Sequence, residues 1–233
     1  MMRHTKEETT IDNRTITIYS EPNANALLLQ AVDSHDMEEM EKEISYIENA
    51  SDTTFTLVAI KINRWNEELT PWPASPVFGK IPFGNGATMS LDFITGEVIP
   101  AMKQNRSFKS VILGGYSLSG LFALWSSYNA VLFDGIVAAS PSVWYKDWLS
   151  YSEQNRCSCR NVYLSLGDKE SHSKNKLMAT VAECIELQKK ILDSQNVNVV
   201  MEWNEGNHFT DNGERTAKGF AWCLKSCREE SAC

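Results

Sequence analysis

A tight junction between a strand and a helix, with a serine at its apex, is the most restrictive feature of this sequence. Residues 111–125 begin as an apolar run, pass through Gly114 and Gly115, reach Ser117 two residues later and continue as a helix-compatible segment. This is the layout of a nucleophile elbow, whose sharp turn exposes a serine hydroxyl and requires small flanking residues. Ser119 stands where the G-x-S-x-G pattern has its second glycine. A Gly/Ser turn at the end of a buried strand would show the same letters, so the context decides.

Size and charge narrow the class of protein. The chain has 233 residues, of which 42% are hydrophobic, and this predicts one well-packed domain over residues 1–233. A net charge of −8 argues against a nucleic-acid partner, which requires a basic stripe. No apolar run approaches the roughly 20 residues that span a bilayer, and the first residues lack an apolar signal region. We therefore expect no membrane partner and a cytoplasmic location.

The six cysteines show no spacing typical of a zinc site. In a reducing compartment such cysteines are buried small hydrophobes or free thiols. The sequence therefore predicts neither a metal nor a cofactor.

Strands and helices alternate along almost the whole chain, and this order predicts the fold class. Besides the elbow strand, strands are predicted at residues 14–19, 26–32, 55–60, 135–139, 161–167 and 197–203. Besides the elbow helix, helices are predicted at about 37–47, 87–104, 175–194 and 211–228. Residues 14–19 alternate polar and apolar as an edge strand does, and His4 is assigned to a floppy terminus. The alternation implies right-handed crossovers and a three-layer α/β fold whose central sheet is mostly parallel and flanked by helices.

Catalysis by a serine requires a base and an acid that orients the base. In the α/β-hydrolase layout these follow the serine in the order acid, then histidine, each after a strand. His208 lies between the last predicted strand and helix, where the base is needed. Glu170 is preferred over Asp168 as the acid, because Asp168 is placed to cap its own turn. A solvated acidic turn and a loop histidine that caps the last helix remain the alternatives.

Acyl transfer also requires hydrogen-bond donors for the oxyanion that develops on the carbonyl. One donor is expected to be the backbone N–H of Leu118, directly after the candidate nucleophile. The second should lie in the loop after the strand at residues 26–32, where either Val32 or Asp33 could supply it. Asp33 is our candidate.

With these residues in place, the chain resembles the esterase family of α/β hydrolases that includes enterobactin (ferric siderophore) esterases and S-formylglutathione hydrolases of the esterase D type. Tyr116 replaces the family's usual histidine, Ser119 replaces a glycine, and Asp33-Ser34 stands where the family has D-G. The resemblance rests on residues 64–71 (RWNEELTP), 93–100 (FITGEVIP), 116–124 (YSLSGLFAL), 139–144 (ASPSVW) and 167–170 (GDKE), together with the histidine block.

The resemblance implies a carboxylic ester hydrolase that acts on a small-molecule ester through an acyl-enzyme. It also implies that Arg64 lies near the substrate, although a surface arginine that pins the adjacent loop is an equal alternative. Trp65, Tyr116 and Trp144 are further candidate substrate contacts. Aromatic residues that could wall an apolar site, or form core, are Trp65, Trp72, Phe78, Trp144, Tyr145 and Trp148. An acyltransferase or thioesterase with the same triad, and a non-catalytic scaffold, remain alternatives, and the oligomeric state stays open.

Overall fold

A computed structural model describes residues 4–77, 79–104 and 106–230. In this part of the chain the strands form one sheet of eight, in the order β1-β2-β4-β3-β5-β6-β7-β8. From β3 onward every neighbouring pair is parallel, whereas β2 runs antiparallel to both β1 and β4. The strands are β1 (Thr5–Ile11), β2 (Arg14–Ser20), β3 (Ala26–Val32), β4 (Phe55–Lys61), β5 (Ser110–Tyr116), β6 (Gly135–Ala139), β7 (Asn161–Gly167) and β8 (Asn198–Asn204).

Helices cover both faces of this sheet and bury a separate apolar core on each. One core lies under α1 and α8, through side chains such as Met40 and Phe220. The other lies under α3, α5, α6 and α7, through side chains such as Phe122 and Trp148. The helices are α1 (Ser34–Ala50), α2 (Trp65–Glu68), α3 (Ala87–Phe93), α4 (Ile99–Lys103), α5 (Leu118–Asn129), α6 (Trp148–Gln154), α7 (Val181–Ser194) and α8 (Asn212–Glu230). The predicted three-layer α/β fold with a mostly parallel sheet is confirmed.

The amino-terminal region differs from the prediction. Thr5–Ile11 forms β1, which pairs along its whole length with β2. The edge strand on this side of the sheet is therefore β1, and β2 is an interior strand. His4 is not floppy, because its imidazole lies 2.8 Å from Glu48 Oε1 and 3.3 Å from Glu41 Oε2 on α1. Backbone pairing and this side-chain anchor hold a segment whose polar sequence carries no strand signal.

The single helix predicted at about 87–104 is divided in the structure. A π-helical turn at Ile94–Val98 separates α3 from α4, and Pro100 lies in the first turn of α4. Proline has no N–H to donate to the preceding turn, and this favours a shift of the hydrogen-bond pattern at that point. Cys157, Cys159, Cys184 and Cys223 are free thiols. Among the described residues, none of the helices combines the length and apolarity required to cross a membrane.

Candidate active site

The elbow is formed where β5 ends at Tyr116 and α5 begins at Leu118. Ser117 joins them with φ 58° and ψ −119°, a backbone conformation that costs on the order of 1–3 kcal/mol and is typical of functional turns. Gly115 makes the close turn possible, because a Cβ at this position would overlap the Ser119 side chain. The predicted strand–serine–helix geometry is therefore present, and the Ser117 hydroxyl lies at the carboxyl end of a central strand.

Three of the predicted residues form one hydrogen-bonded chain. Ser117 Oγ lies 3.0 Å from Nε2 of His208, and Nδ1 of His208 lies 2.7 Å from Oε2 of Glu170. An ionised carboxylate can only accept, so Nδ1 carries the imidazole proton and Nε2 is left to accept from the serine hydroxyl. Asp168, the alternative acid, is directed elsewhere, since its Oδ1 accepts the Gly206 N–H at 2.8 Å.

The Glu170 carboxylate is buried and held by several donors. Oε1 accepts from Ser140 Oγ at 2.7 Å, from the Gly167 N–H at 2.8 Å and from Arg215 Nη1 at 2.9 Å. Burial works to raise the pKa of Glu170, but hydrogen bonds from His208, Ser140 and Gly167 outweigh it and the pKa lies below its usual range. Glu170 is therefore ionised and fixed, as an acid that orients an imidazole must be.

Arg215 is a central residue of this site that sequence reasoning missed. Its side chain is 1% exposed, and besides Glu170 it donates to the carbonyls of Glu205 and Asn207, at 3.0 and 3.1 Å. One guanidinium thus connects the acid with the loop that carries His208. A sequence signal existed: a cation in the first turn of α8 opposes the helix dipole, which suggests a specific partner.

Tyr116 lies behind the imidazole. Its hydroxyl donates to the carbonyl oxygen of His208 at 2.9 Å and accepts from Arg215 Nη1 at 3.2 Å, and the two rings are 5.2 Å apart. Burial, and the charge of Glu170 after it, raise the pKa of Tyr116, so the hydroxyl stays neutral and remains a donor. Tyr116, which stands where the similar family has a histidine, thus holds the backbone of His208 by a hydrogen bond.

The two predicted oxyanion donors differ in their surroundings. Leu118 is the first residue of α5, directly after Ser117, which places its N–H at a helix N-terminus beside the hydroxyl. The Asp33 N–H instead donates to Oδ2 of Asp36 at 3.1 Å, while the Asp33 carboxylate caps α1 by accepting from His35 and Asp36. The expectation that Asp33 points its amide at the oxyanion is therefore not met in this conformation, because a capping box uses that donor.

Two cavities flank the imidazole of His208. The smaller, here named the serine cavity, has about 140 Å³ and the larger, the main cavity, has about 420 Å³. The serine cavity is lined by Asp33, His35, Asp36, Trp65, Tyr116, Ser117, His208, Phe209 and Asn212. The main cavity is lined by Ser140, Trp144, Lys169, Glu170, His172, Ser173, Met178, Val181, Asn207, His208 and Phe209. An ester group at Ser117 would therefore have space on both sides of the base.

The predicted substrate contacts divide accordingly. Trp65 and Tyr116 line the serine cavity, and Trp144 lines the main cavity. Trp144 and Tyr145 also line a separate, wider cleft. Arg64 is on the surface. Its backbone N–H donates to Glu68 Oε1 at 2.8 Å, and its guanidinium Nε lies 3.9 Å from the same oxygen. Arg64 is therefore a surface arginine, and the structure shows its side chain near Glu68 of α2.

The remaining aromatic candidates have other surroundings. Trp148 is fully buried in the core, and its indole Nε1–H donates a hydrogen bond to Gln188 Oε1. Trp72 packs on Tyr145 and Tyr151. Phe78 lies outside the described residues.

Together the mostly parallel sheet, the elbow after β5 and the residues that follow β7 and β8 define the α/β-hydrolase fold. Solved structures with this fold include an IroE-like serine hydrolase from Shewanella oneidensis (TM-score 0.78, 14% identity, covering 95% of this chain and 80% of that one). The siderophore hydrolase EstA from Aspergillus nidulans is also similar (TM-score 0.75, 20% identity, 96% and 95% coverage). The enterobactin esterase FES from Shigella flexneri is longer (TM-score 0.67, 12% identity, 97% and 60% coverage).

No known protein-family profile matches the sequence, and no curated protein sequence matches it either. The solved structures therefore show that the chain has the fold that the resemblance implied.

Proposed function

We propose that this protein is a serine hydrolase that cleaves carboxylic esters through an acyl-enzyme. The observation that carries the proposal is the continuous hydrogen-bonded chain Ser117–His208–Glu170 at a strained elbow. A serine hydroxyl is a weak nucleophile unless a base accepts its proton, and His208 Nε2 is placed to do so. Solved structures of the same fold include a siderophore hydrolase and an enterobactin esterase, which supports ester hydrolysis as the reaction class.

The proposed mechanism follows from the geometry. His208 Nε2 takes the proton of Ser117 as Oγ attacks the ester carbonyl, and ionised Glu170 stabilises the imidazolium. The Leu118 N–H donates to the developing oxyanion. The imidazolium then gives its proton to the leaving alcohol, and water repeats the sequence on the acyl-enzyme to release the acid.

The second oxyanion donor remains part of the proposal. The Asp33 N–H can take this role only after Asp36 Oδ2 releases it, so we expect a local rearrangement of the loop after β3 when substrate binds. Removing one oxyanion donor from an enzyme costs about 3 kcal/mol in the transition state, so the rearrangement would affect turnover strongly.

The remaining features of the proposal concern the setting of the enzyme. We propose that it acts as one domain in the cytoplasm on a small-molecule ester, without a cofactor. The free thiols of Cys157, Cys159, Cys184 and Cys223 and the net charge of −8 support this setting.

The experiment combines labelling with turnover. Wild-type protein should react with a fluorophosphonate probe and hydrolyse p-nitrophenyl acetate. Ser117→Ala should lose labelling and at least about 10⁴-fold in kcat, because nothing else activates a nucleophile at the elbow. Ser194→Ala, an exposed serine on α7, is the matched control and should behave as wild type. Unchanged turnover in Ser117→Ala, or an inert Ser117 in folded wild-type protein, would reject the proposal.

A further inference from the structure

The main cavity presents basic side chains, although the protein as a whole is acidic. Although the chain carries a net charge of −8, Lys169 and His172 line this cavity. Glu170 is its only acidic lining residue within the described structure, and the charge of Glu170 is already committed to Arg215 and His208. The hydrogen-bond donors of Lys169 and His172 therefore face a cavity that offers them no carboxylate of their own.

Further basic residues lie in the segment that borders the cavity, residues 168–176, here named the basic loop. It contains Lys169, His172, Lys174 and Lys176, and in the described structure none of them forms an ion pair within 4.0 Å. Its two acids are used internally, since Asp168 accepts from the Gly206 N–H and Glu170 holds the imidazole. The positive charge of the loop is thus left for an outside partner.

The basic loop is also fixed in position. The Lys169 N–H donates to the Gly206 carbonyl at 3.0 Å, next to the loop that carries His208. Asn175 Nδ2 donates to the Val77 carbonyl at 2.6 Å, which ties the other end of the basic loop to the segment that contains Pro76 and Val77. A loop backbone held in this way loses less conformational entropy when its side chains bind an anion than a free loop would.

We propose that the main cavity binds an anionic group of the substrate, with Lys169 and His172 as its donors. The substrate class is an ester that carries a carboxylate or similar anion, separated from the scissile bond by an apolar spacer that packs on Trp144 and Met178. This inference rests on the proposed esterase function and specifies its substrate. The imidazole of His172 can donate in either protonation state, whereas Lys169 supplies a full positive charge.

Matched ester pairs test the proposal. Mono-p-nitrophenyl glutarate and its methyl-capped diester differ by the charge and one methyl group on the acyl side. The second pair, 4-acetoxybenzoate and its methyl ester, differs in the same way on the alcohol side. In at least one pair, wild-type kcat/KM should favour the anion by about tenfold, the size expected for one charge-assisted hydrogen bond in an open cleft. Added salt should lower this ratio.

Variants then connect the ratio to the cavity. Lys169→Gln should bring the ratio close to one, and His172→Gln should lower it. Lys190→Gln removes the same charge from an exposed position on α7 and should keep the wild-type ratio. A wild-type ratio at or below one in both pairs, or a ratio that Lys169→Gln leaves unchanged, would overturn the inference. Failure of the esterase proposal would look different, because the neutral esters would then also show no turnover that depends on Ser117.

Discussion

Replacement of Arg215 is the most informative perturbation of this structure. Its guanidinium is 1% exposed and lies 2.9 Å from Glu170 Oε1, while its other bonds go to Ser140, Tyr116 and the carbonyls of Glu205 and Asn207. Glu205 and Asn207 are exposed, so water can replace the arginine at their carbonyls. The buried Glu170 carboxylate has no such replacement, and most of the cost should arise there.

The expected magnitude follows from that difference. Removing one partner of a buried ion pair costs about 3–5 kcal/mol, because the remaining charge is left uncompensated. Arg215→Met should therefore lower the free energy of unfolding by about this amount. Arg215→Lys keeps the charge but not the fork that reaches both Glu170 and the carbonyls, so it should lose about 1–3 kcal/mol.

Urea denaturation followed by circular dichroism measures these differences. Arg160→Met is the matched control, since Arg160 is exposed, and should stay within about 0.5 kcal/mol of wild type. A double-mutant cycle with Glu170→Gln isolates the pair, and Arg215→Met should cost less in that background. A loss below about 1 kcal/mol in Arg215→Met, or the same loss in both backgrounds, would refute the reasoning. If Arg215→Met does not fold, the cycle is made with Arg215→Lys.

Two further predictions concern acidic residues around the site. Glu170→Gln should lower kcat for p-nitrophenyl acetate by about 10²–10⁴-fold, because an amide no longer stabilises the imidazolium. Asp168→Asn should have a much smaller effect on kcat. Equal losses in the two variants would contradict the choice of Glu170 as the acid. Burial, with the Asp33 carboxylate adding to it, raises the pKa of Asp36 from 3.8 to about 6. The folded state thus holds this proton more tightly than the unfolded chain, so the free energy of unfolding should fall as pH rises from about 4 to about 6. Asp36→Asn should remove up to about 2 kcal/mol of that fall, measured by urea denaturation at both ends of the range; an unchanged fall would contradict it.

The central strands and the elbow could be predicted from the sequence because their signals are local. β3, β5, β6 and β7 are buried along their whole length, and their sequences are predominantly apolar. The order of serine, acid and histidine along the chain then placed the three residues at the same edge of the sheet. Parallel strands bring their carboxyl ends together, so the chain order alone was sufficient to place them near one another.

The first strand was missed for the opposite reason. Most of β1 is exposed, and its sequence TKEETTI has no apolar periodicity. Its stability comes from backbone pairing with β2 and from His4, which contacts α1 through Glu41 and Glu48. The pairing with β2 is a local hairpin across Asp12 and Asn13, but the polar residues of β1 give it no strand signal. The contacts of His4 with α1 join residues distant in sequence, and these leave no trace in a local pattern.

The surroundings of the site were predictable only in part. The role of Arg215 depends on which carboxylate and carbonyls face one buried guanidinium, and residue spacing does not show this. The capping box at Asp33 was readable, since Asp33 and Asp36 have the N-cap and N3 spacing at a helix start. Reading it would have shown that the Asp33 amide has a competing acceptor.

Ser119 shows how a departure from a family motif can become structural. Its buried hydroxyl donates to the Ala31 carbonyl at 2.8 Å, which joins the first turn of α5 to β3 just before the chain leaves the sheet. Restoring glycine here would bring the sequence closer to the motif and at the same time cut a cross-link between the nucleophile and the segment facing it. In this protein, consensus engineering at the elbow would therefore remove the hydrogen bond that links α5 to the end of β3.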